Sequence, residues 1–196
     1  ASSGRVGGTP GQPNFPDLDG EVPTFPASLV SYWSFDEASG EARDASGGND
    51  GDLGAGNARI GGLVGSRAIS FDNTPDAQIN VGIGAGNNFT VSAGITVEAV
   101  VILDWSGDVD DQDMIFRKED GNDRVVLGFQ RDGNSDGRSE PAVDPDVAVL
   151  AFGINVGGAY RELDMPLDGV LGRPSLAELR DGQPHHIAGT YDSVTG

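Results

Sequence analysis

The sequence predicts an all-β chain built as a two-sheet antiparallel sandwich, and three observations carry that expectation. Short runs of alternating apolar and polar residues recur along most of its length, 31 glycines with Asp and Asn punctuate them, and helical periodicity is nearly absent. Many short strands without alternating helices leave a pair of stacked sheets as the way to bury one apolar face per strand.

Residues 1–28, ASSGRVGGTPGQPNFPDLDGEVPTFPAS, precede the pattern. Pro and Gly are dense there and nothing is periodic, so the segment reads as an extended arm or linker, with Phe15 and Phe25 available to hold it against a surface. Residues 29–196 read as one sandwich. Its first run, LVSYWSFD (29–36), carries the aromatic residues that favour strands, and RAISFD (67–72) and AQINVG (77–82) follow around an Asn-Thr-Pro-Asp turn. In ITVEAVVILDW (95–105), Ile95, Val97, Ala99, Val101 and Leu103 share one face. The other face begins with Thr96 and Glu98 and turns apolar at Val100 and Ile102, so this strand is expected to be covered on both sides at one end. DMIFRK (113–118), RVVLGFQ (124–130), VAVLAFGINV (147–156), YREL (160–163) and HHIAGTYD (185–192) complete the strands. The one helical candidate is PSLAELR (174–180), a single turn capped by Ser175.

Charge narrows the choice of partners. The formal net charge is −19 and only 12 residues are cationic, Lys118 being the one lysine. Such a chain lacks the basic field that nucleic acid or an anionic membrane requires, whereas divalent cations and neutral polymers suit it. No apolar run approaches the length of a membrane span, so membrane insertion is not expected. With no cysteine there is neither a disulfide framework nor a thiolate site. The opening ASSGRVGG suits a mature end left by signal cleavage, which fits a secreted or cell-surface protein.

Five segments, LVSYWSFDEASGEARDASGGNDGDL, GLVGSRAISFDN, FTVSAGITVEAVV, MIFRKEDGNDRVVLGF and GQPHHIAGTYD, stand in the order and spacing of laminin-G-like, concanavalin-A-like jelly-roll domains. Residues 29–192 resemble that family. The resemblance implies a jelly-roll sandwich, a fold that hosts lectins, adhesion modules, glycosidases and structural domains alike. Two departures stand out. Pro184 occupies the place of a Trp before the paired histidines, and the strand pair that the family places after GTYD is missing, so the sandwich is expected to be incomplete at its C-terminus. A longer parent protein, the N-terminal arm, or a strand donated by a partner would each fill that edge.

Candidate chemistry lies in loops. DGNSDGRSE supplies Asp132, Asn134, Asp136 and Glu140 in the opening pattern of an oxygen-ligand calcium loop, although Val143 stands where the bidentate acid belongs. Asp108, Asp110 and Asp113 form a second acidic cluster. The resemblance implies a third calcium position at Asp36, Asp44 and Asp192, whose alternative role is capping turns at strand ends. Trp105, at a strand end beside the acidic loop, and Tyr160 are the candidate sugar-stacking aromatics, Trp105 being expected on the surface. His185 and His186 alternate in a strand, so they face opposite ways and cannot share an ion; a buried, hydrogen-bonded role is expected for them. Glu162 and Asp164 have the alternate spacing of glycosidase carboxylates, but Pro166 follows and a third acid is lacking. The expectation is a secreted, non-catalytic, calcium-dependent carbohydrate-binding or adhesion module engaging glycan or an extracellular protein. The alternatives are an extracellular structural subunit that forms a homo-oligomer or filament through its arm and open sheet edge, and a glycoside hydrolase.

Overall fold

The computed structural model describes residues 25–62, 64–81, 89, 91, 93–108, 112–119, 124–131, 147–156 and 158–195. Among these, ten strands pair antiparallel throughout and the one helix is four residues long, so the all-β expectation holds. The chain divides after residue 88 into two compact units.

In the first unit, β1 (Gly51–Leu53) pairs with β4 (Ile79–Val81), and β2 (Asn57–Gly61) pairs with β3 (Arg67–Phe71). The strand expected over residues 29–36 is not formed; that stretch makes a single bridge, Trp33 opposite Asp44. Local side chains take the backbone groups that a ladder would use. Asp44 accepts from the Tyr32 N–H at 2.9 Å, and the Trp33 indole donates to the Asn49 carbonyl at 2.8 Å. From β2, the half-buried Arg59 guanidinium donates to Glu37 and to the carbonyls of Phe35, Gly40 and Glu41, folding residues 35–41 onto the strand. Phe25 packs on Tyr32 with ring centroids 5.4 Å apart, while Phe15 lies outside the described residues.

The second unit has two layers. One is the ribbon of β5 (Gly94–Val101) and β10 (His185–Asp192). The other is the sheet β6 (Asp113–Lys118), β7 (Val125–Arg131), β8 (Ala148–Val156) and β9 (Ala159–Pro166), in that order. The register aligns Val125 with Ile154, Leu127 with Phe152 and Phe129 with Leu150, so these side chains share one face. That face joins Ile187 of β10 and Val97 and Val101 of β5 in the apolar core. Gly189 permits the close approach of the layers, because a methyl group there would collide with the Phe152 ring. Beyond β5 the chain stays extended and the alternation continues, burying Leu103 and Trp105 while Ile102 and Asp104 face out. Helix α1 (Leu176–Leu179) starts from a complete capping box between Ser175 and Glu178 and adds Leu179 to the core.

The link from β9 to α1 carries an exposed apolar tip. Leu171 is 90 % exposed with φ at +56°, and Gly172 follows at +82°. The Arg173 N–H closes this tight turn on the Val170 carbonyl at 3.1 Å, and the Arg173 guanidinium grips Asp168 at 2.7 and 3.0 Å. The Arg173 hydrogen bond, helped by the Val170 N–H, holds the Asp168 carboxyl at about 2. A leucine pays backbone strain in the left-handed region that asparagine largely avoids. Leu171→Asn is therefore expected to raise stability by about 0.5–1 kcal/mol, read as a higher melting temperature. A lower one would mean that the leucine makes contacts worth more than its strain.

Candidate functional site: a polar cradle on the four-stranded sheet

The face of the four-stranded sheet turned away from the core has a floor of small or apolar residues and polar walls. Across one rung lie Arg117, Val126, Gly153 and Glu162, and across the next Met114, Gly128, Ala151 and Asp164. Strand β9 alternates strictly here: Tyr160, Glu162 and Asp164 lie on this face, while Arg161 and Leu163 lie exposed on the other, opposite Ile154 and Phe152. The walls enclose a cavity of about 180 Å³ bordered by Gln112, Met114, Arg117, Arg124, Val126, Gln130, Tyr160 and Glu162. At about 30 Å³ of liquid per water, it has the size for one small polar ring.

Hydrogen bonds fix the walls. Both oxygens of Glu162 are engaged, Oε1 by Gln130 Nε2 at 2.8 Å and Oε2 by the Tyr160 hydroxyl. The Arg124 guanidinium lies over the Tyr160 ring, 4.1 Å from its centroid. Glu119 accepts from Arg117 at 2.6 Å and pairs with Arg124 at 2.9 Å. The hydrogen bond from Arg117 holds the Glu119 carboxyl below its usual range, outweighing partial burial, with the charges of both arginines assisting. Burial, and then the hydrogen bond to Glu162 with its negative charge, push the Tyr160 phenol up, so Tyr160 remains a donor at neutral pH. Gly153 makes room for this arrangement: a methyl group at its Cβ position would collide with the Tyr160 hydroxyl. A chain of contacts thus runs from Arg117 through Glu119, Arg124, Tyr160 and Glu162 to Gln130.

Several sequence-based expectations come out differently. Trp105 is not a surface aromatic; it is 2 % exposed and packs near Phe129, because it continues the buried side of the alternation beyond β5. Tyr160 does belong to the cavity, with Arg124 lying on its ring. Asp164, just beyond the YREL run read as a strand, lies with Glu162 within β9, which runs on to Pro166. The two histidines do face opposite ways, yet neither is buried; His185 bonds Asp181 at 3.0 Å and His186 bonds Glu98 at 3.1 Å.

Of the calcium candidates, Asp132, Asn134, Asp136, Glu140 and Asp110 lie outside the described residues. Asp108 is exposed and Asp113 opens β6 half-buried. Asp36 accepts from the Ser66 hydroxyl and the Arg67 N–H, and Asp192 accepts from the Val194 N–H, each in a capping role. Asp44 is buried and organises its own loop. Its Oδ1 accepts from the Tyr32 N–H and from both the N–H and hydroxyl of Ser46, and its Oδ2 from the Asn49 N–H. Donors arranged in this way give the carboxylate a structural role within its own loop. Among the described residues, no group of three or more acidic or histidine side chains converges in a way that would hold a metal ion.

Burial opposes ionisation of Asp44, but these hydrogen bonds outweigh it and bring its carboxyl down to about 2. A carboxylate depressed in the folded state contributes its stability above the unfolded value and withdraws it as pH falls through the folded one. The first unit should accordingly lose the contribution of Asp44 between about pH 4 and pH 2. Acid titration followed by Trp33 fluorescence should show a transition in that window that Asp44→Asn flattens; an unchanged curve would show that the carboxylate is not the group titrating.

The fold and the cradle together define an all-β protein with a polar sheet-face site. No protein-family model, curated protein or solved structure matches the chain.

Proposed function

We propose that the chain is a non-catalytic, secreted or cell-surface glycan-binding or adhesion module of laminin-G-like jelly-roll type, which takes a sugar in the cradle of the four-stranded sheet. The observation that carries this reading is the prearranged Glu162, held by Tyr160 and Gln130 beside the guanidinium groups of Arg117 and Arg124. Planar side chains that donate or accept in pairs suit the neighbouring hydroxyls of a sugar, and fixing them before binding lowers the ordering cost. Calcium has a structural place in this proposal, taken by the Asp132, Asn134, Asp136 and Glu140 pattern read from the sequence.

A glycan array probed with the calcium-loaded protein tests the reading. Hits should weaken tenfold or more in Glu162→Gln and Arg124→Gln, with melting temperatures little changed. A silent array, or hits indifferent to both substitutions, would remove it. Hydrolysis of a bound glycan, abolished in Glu162→Gln, would replace it with a glycosidase. Chelator should lower the melting temperature, and an unchanged value would take calcium out of the proposal.

A second reading, an extracellular structural subunit, is favoured by one observation. Among the described residues β9 has a ladder partner on one side alone, and Leu163 on it is 60 % exposed. Sedimentation of a single monomeric species at high concentration would count against assembly through this edge.

A further inference from the structure

We propose that the saccharide taken by the cradle is an acidic one, with its carboxylate received by Arg117 and Arg124; this rests on the glycan-binding reading above. The inventory of donors and acceptors points that way. Glu119 faces both guanidinium groups, and both oxygens of Glu162 are taken by Tyr160 and Gln130. Among the described residues, the carboxylate bordering the cavity, Glu162, and the adjacent Glu119 are therefore largely spent on the protein itself. Each guanidinium, in contrast, carries five N–H donors. Arg117 reaches Glu119 through one nitrogen, Nη2, and Arg124 reaches it through Nε. The side chains stay accessible, 53 % and 32 % exposed respectively. What the cavity has left to offer is mainly donors in a planar fork, and the group that matches such a fork with two acceptors is a carboxylate.

Placement strengthens the inference. The chain has only 12 cationic residues against 31 acidic ones, and among the described residues two of these cations border this one cavity. The surrounding field of a −19 molecule repels an anion at long range, so recognition has to come from close contact. At physiological ionic strength the screening length is about 8 Å, which mutes distant carboxylates and leaves a contact of hydrogen-bond length almost untouched. A neutral sugar would hydrogen-bond to the guanidinium donors but bring no charge to two cations that share the single carboxylate of Glu119.

Calorimetric titration at 0.15 M salt with matched acidic and neutral oligosaccharides, such as galacturonate against galactose and glucuronate against glucose oligomers, tests this. The wild type is expected to favour the acidic member of a pair by at least tenfold. Arg117→Gln should reduce that preference by about tenfold or more, as expected when a charge-assisted fork is lost. Arg161→Gln removes the same charge from an exposed position on the opposite side of β9 and should leave the preference intact. Equal or tighter binding of the neutral member would overturn the inference while leaving the glycan reading standing. An equal effect of Arg161→Gln would overturn it as well, reducing the preference to net charge. Binding of neither member of any pair would remove both.

Discussion

Replacing Trp105 by alanine is expected to lower the stability of the second unit by about 3–5 kcal/mol, the range for truncating a buried large aromatic. Trp105 is among the largest fully buried side chains, its ring centroid lies 6.3 Å from that of Phe129, and both belong to the cluster containing Val125, Leu127 and Phe152. The loss has two parts, the transfer of a large apolar surface to water and a cavity that neighbouring strands cannot close. Against a typical domain stability of about 5–15 kcal/mol, it removes roughly a fifth at the least and most of the total in a marginal domain. Urea unfolding followed by circular dichroism measures it. Trp105→Phe refills most of the space and should cost clearly less. A loss below about 1 kcal/mol in the alanine variant would place the indole outside the core, and would return it to the surface role that its position beside an acidic loop first suggested.

Gly153→Ala is expected to disable the cradle while the fold survives. The new methyl group would occupy the place of the Tyr160 hydroxyl, so the ring must swing away, and its hydrogen bond to Glu162 and its stacking with Arg124 go with it. Overpacking of this kind costs about 1–3 kcal/mol, which a folded domain can absorb. Binding should fall tenfold or more, beyond the effect of Tyr160→Phe, which removes the hydroxyl but leaves the ring in place. Unchanged glycan affinity in a folded Gly153→Ala protein would show that the ring and its contacts are not part of the binding surface.

The strands that alternate or run strongly apolar were legible in the sequence. DMIFRK and HHIAGTYD coincide with β6 and β10, and the ends of β7 and β8 fall within a residue of expectation, because a face buried against another layer enforces strict spacing. The single helical turn and its Ser175 cap were also readable. The first unit was much less so. LVSYWSFD has strand composition, but Asp44, Asn49 and Arg59 capture its neighbourhood through side-chain bonds whose partners lie 12 to 24 residues away. Composition carries no record of such partners. Strands β1 and β2, short and rich in Gly, Asp and Asn, have the composition of the turns they adjoin.

The cradle was half-visible. Tyr160, Glu162 and Asp164 on alternate positions were a signal, weakened by reading the strand as ending at Leu163. Arg117, Arg124 and Gln130 gave none, since what matters about them is the register between strands: Arg117 stands opposite Val126, and Glu162 opposite Gly153. Trp105 failed for a different reason. The ladder of β5 ends at Val101, but the burial alternation does not, and an aromatic next to acidic residues is no sign of exposure when the parity of the strand points it inward.

The pairing of β5 with β10 has a kinetic consequence. Gly94 is matched with Asp192 and Val101 with His185, so the ribbon joins the beginning of its unit to the end, and the strands β6 to β9 of the other sheet lie between them in the chain. Closing so long a loop costs entropy before any contact repays it, whereas the neighbouring hairpins of β6 through β9 close locally. Refolding should therefore start from those hairpins and finish with the ribbon. In a pulsed hydrogen-exchange experiment, the amides of residues 94–101 and 185–192 would be the last to acquire protection.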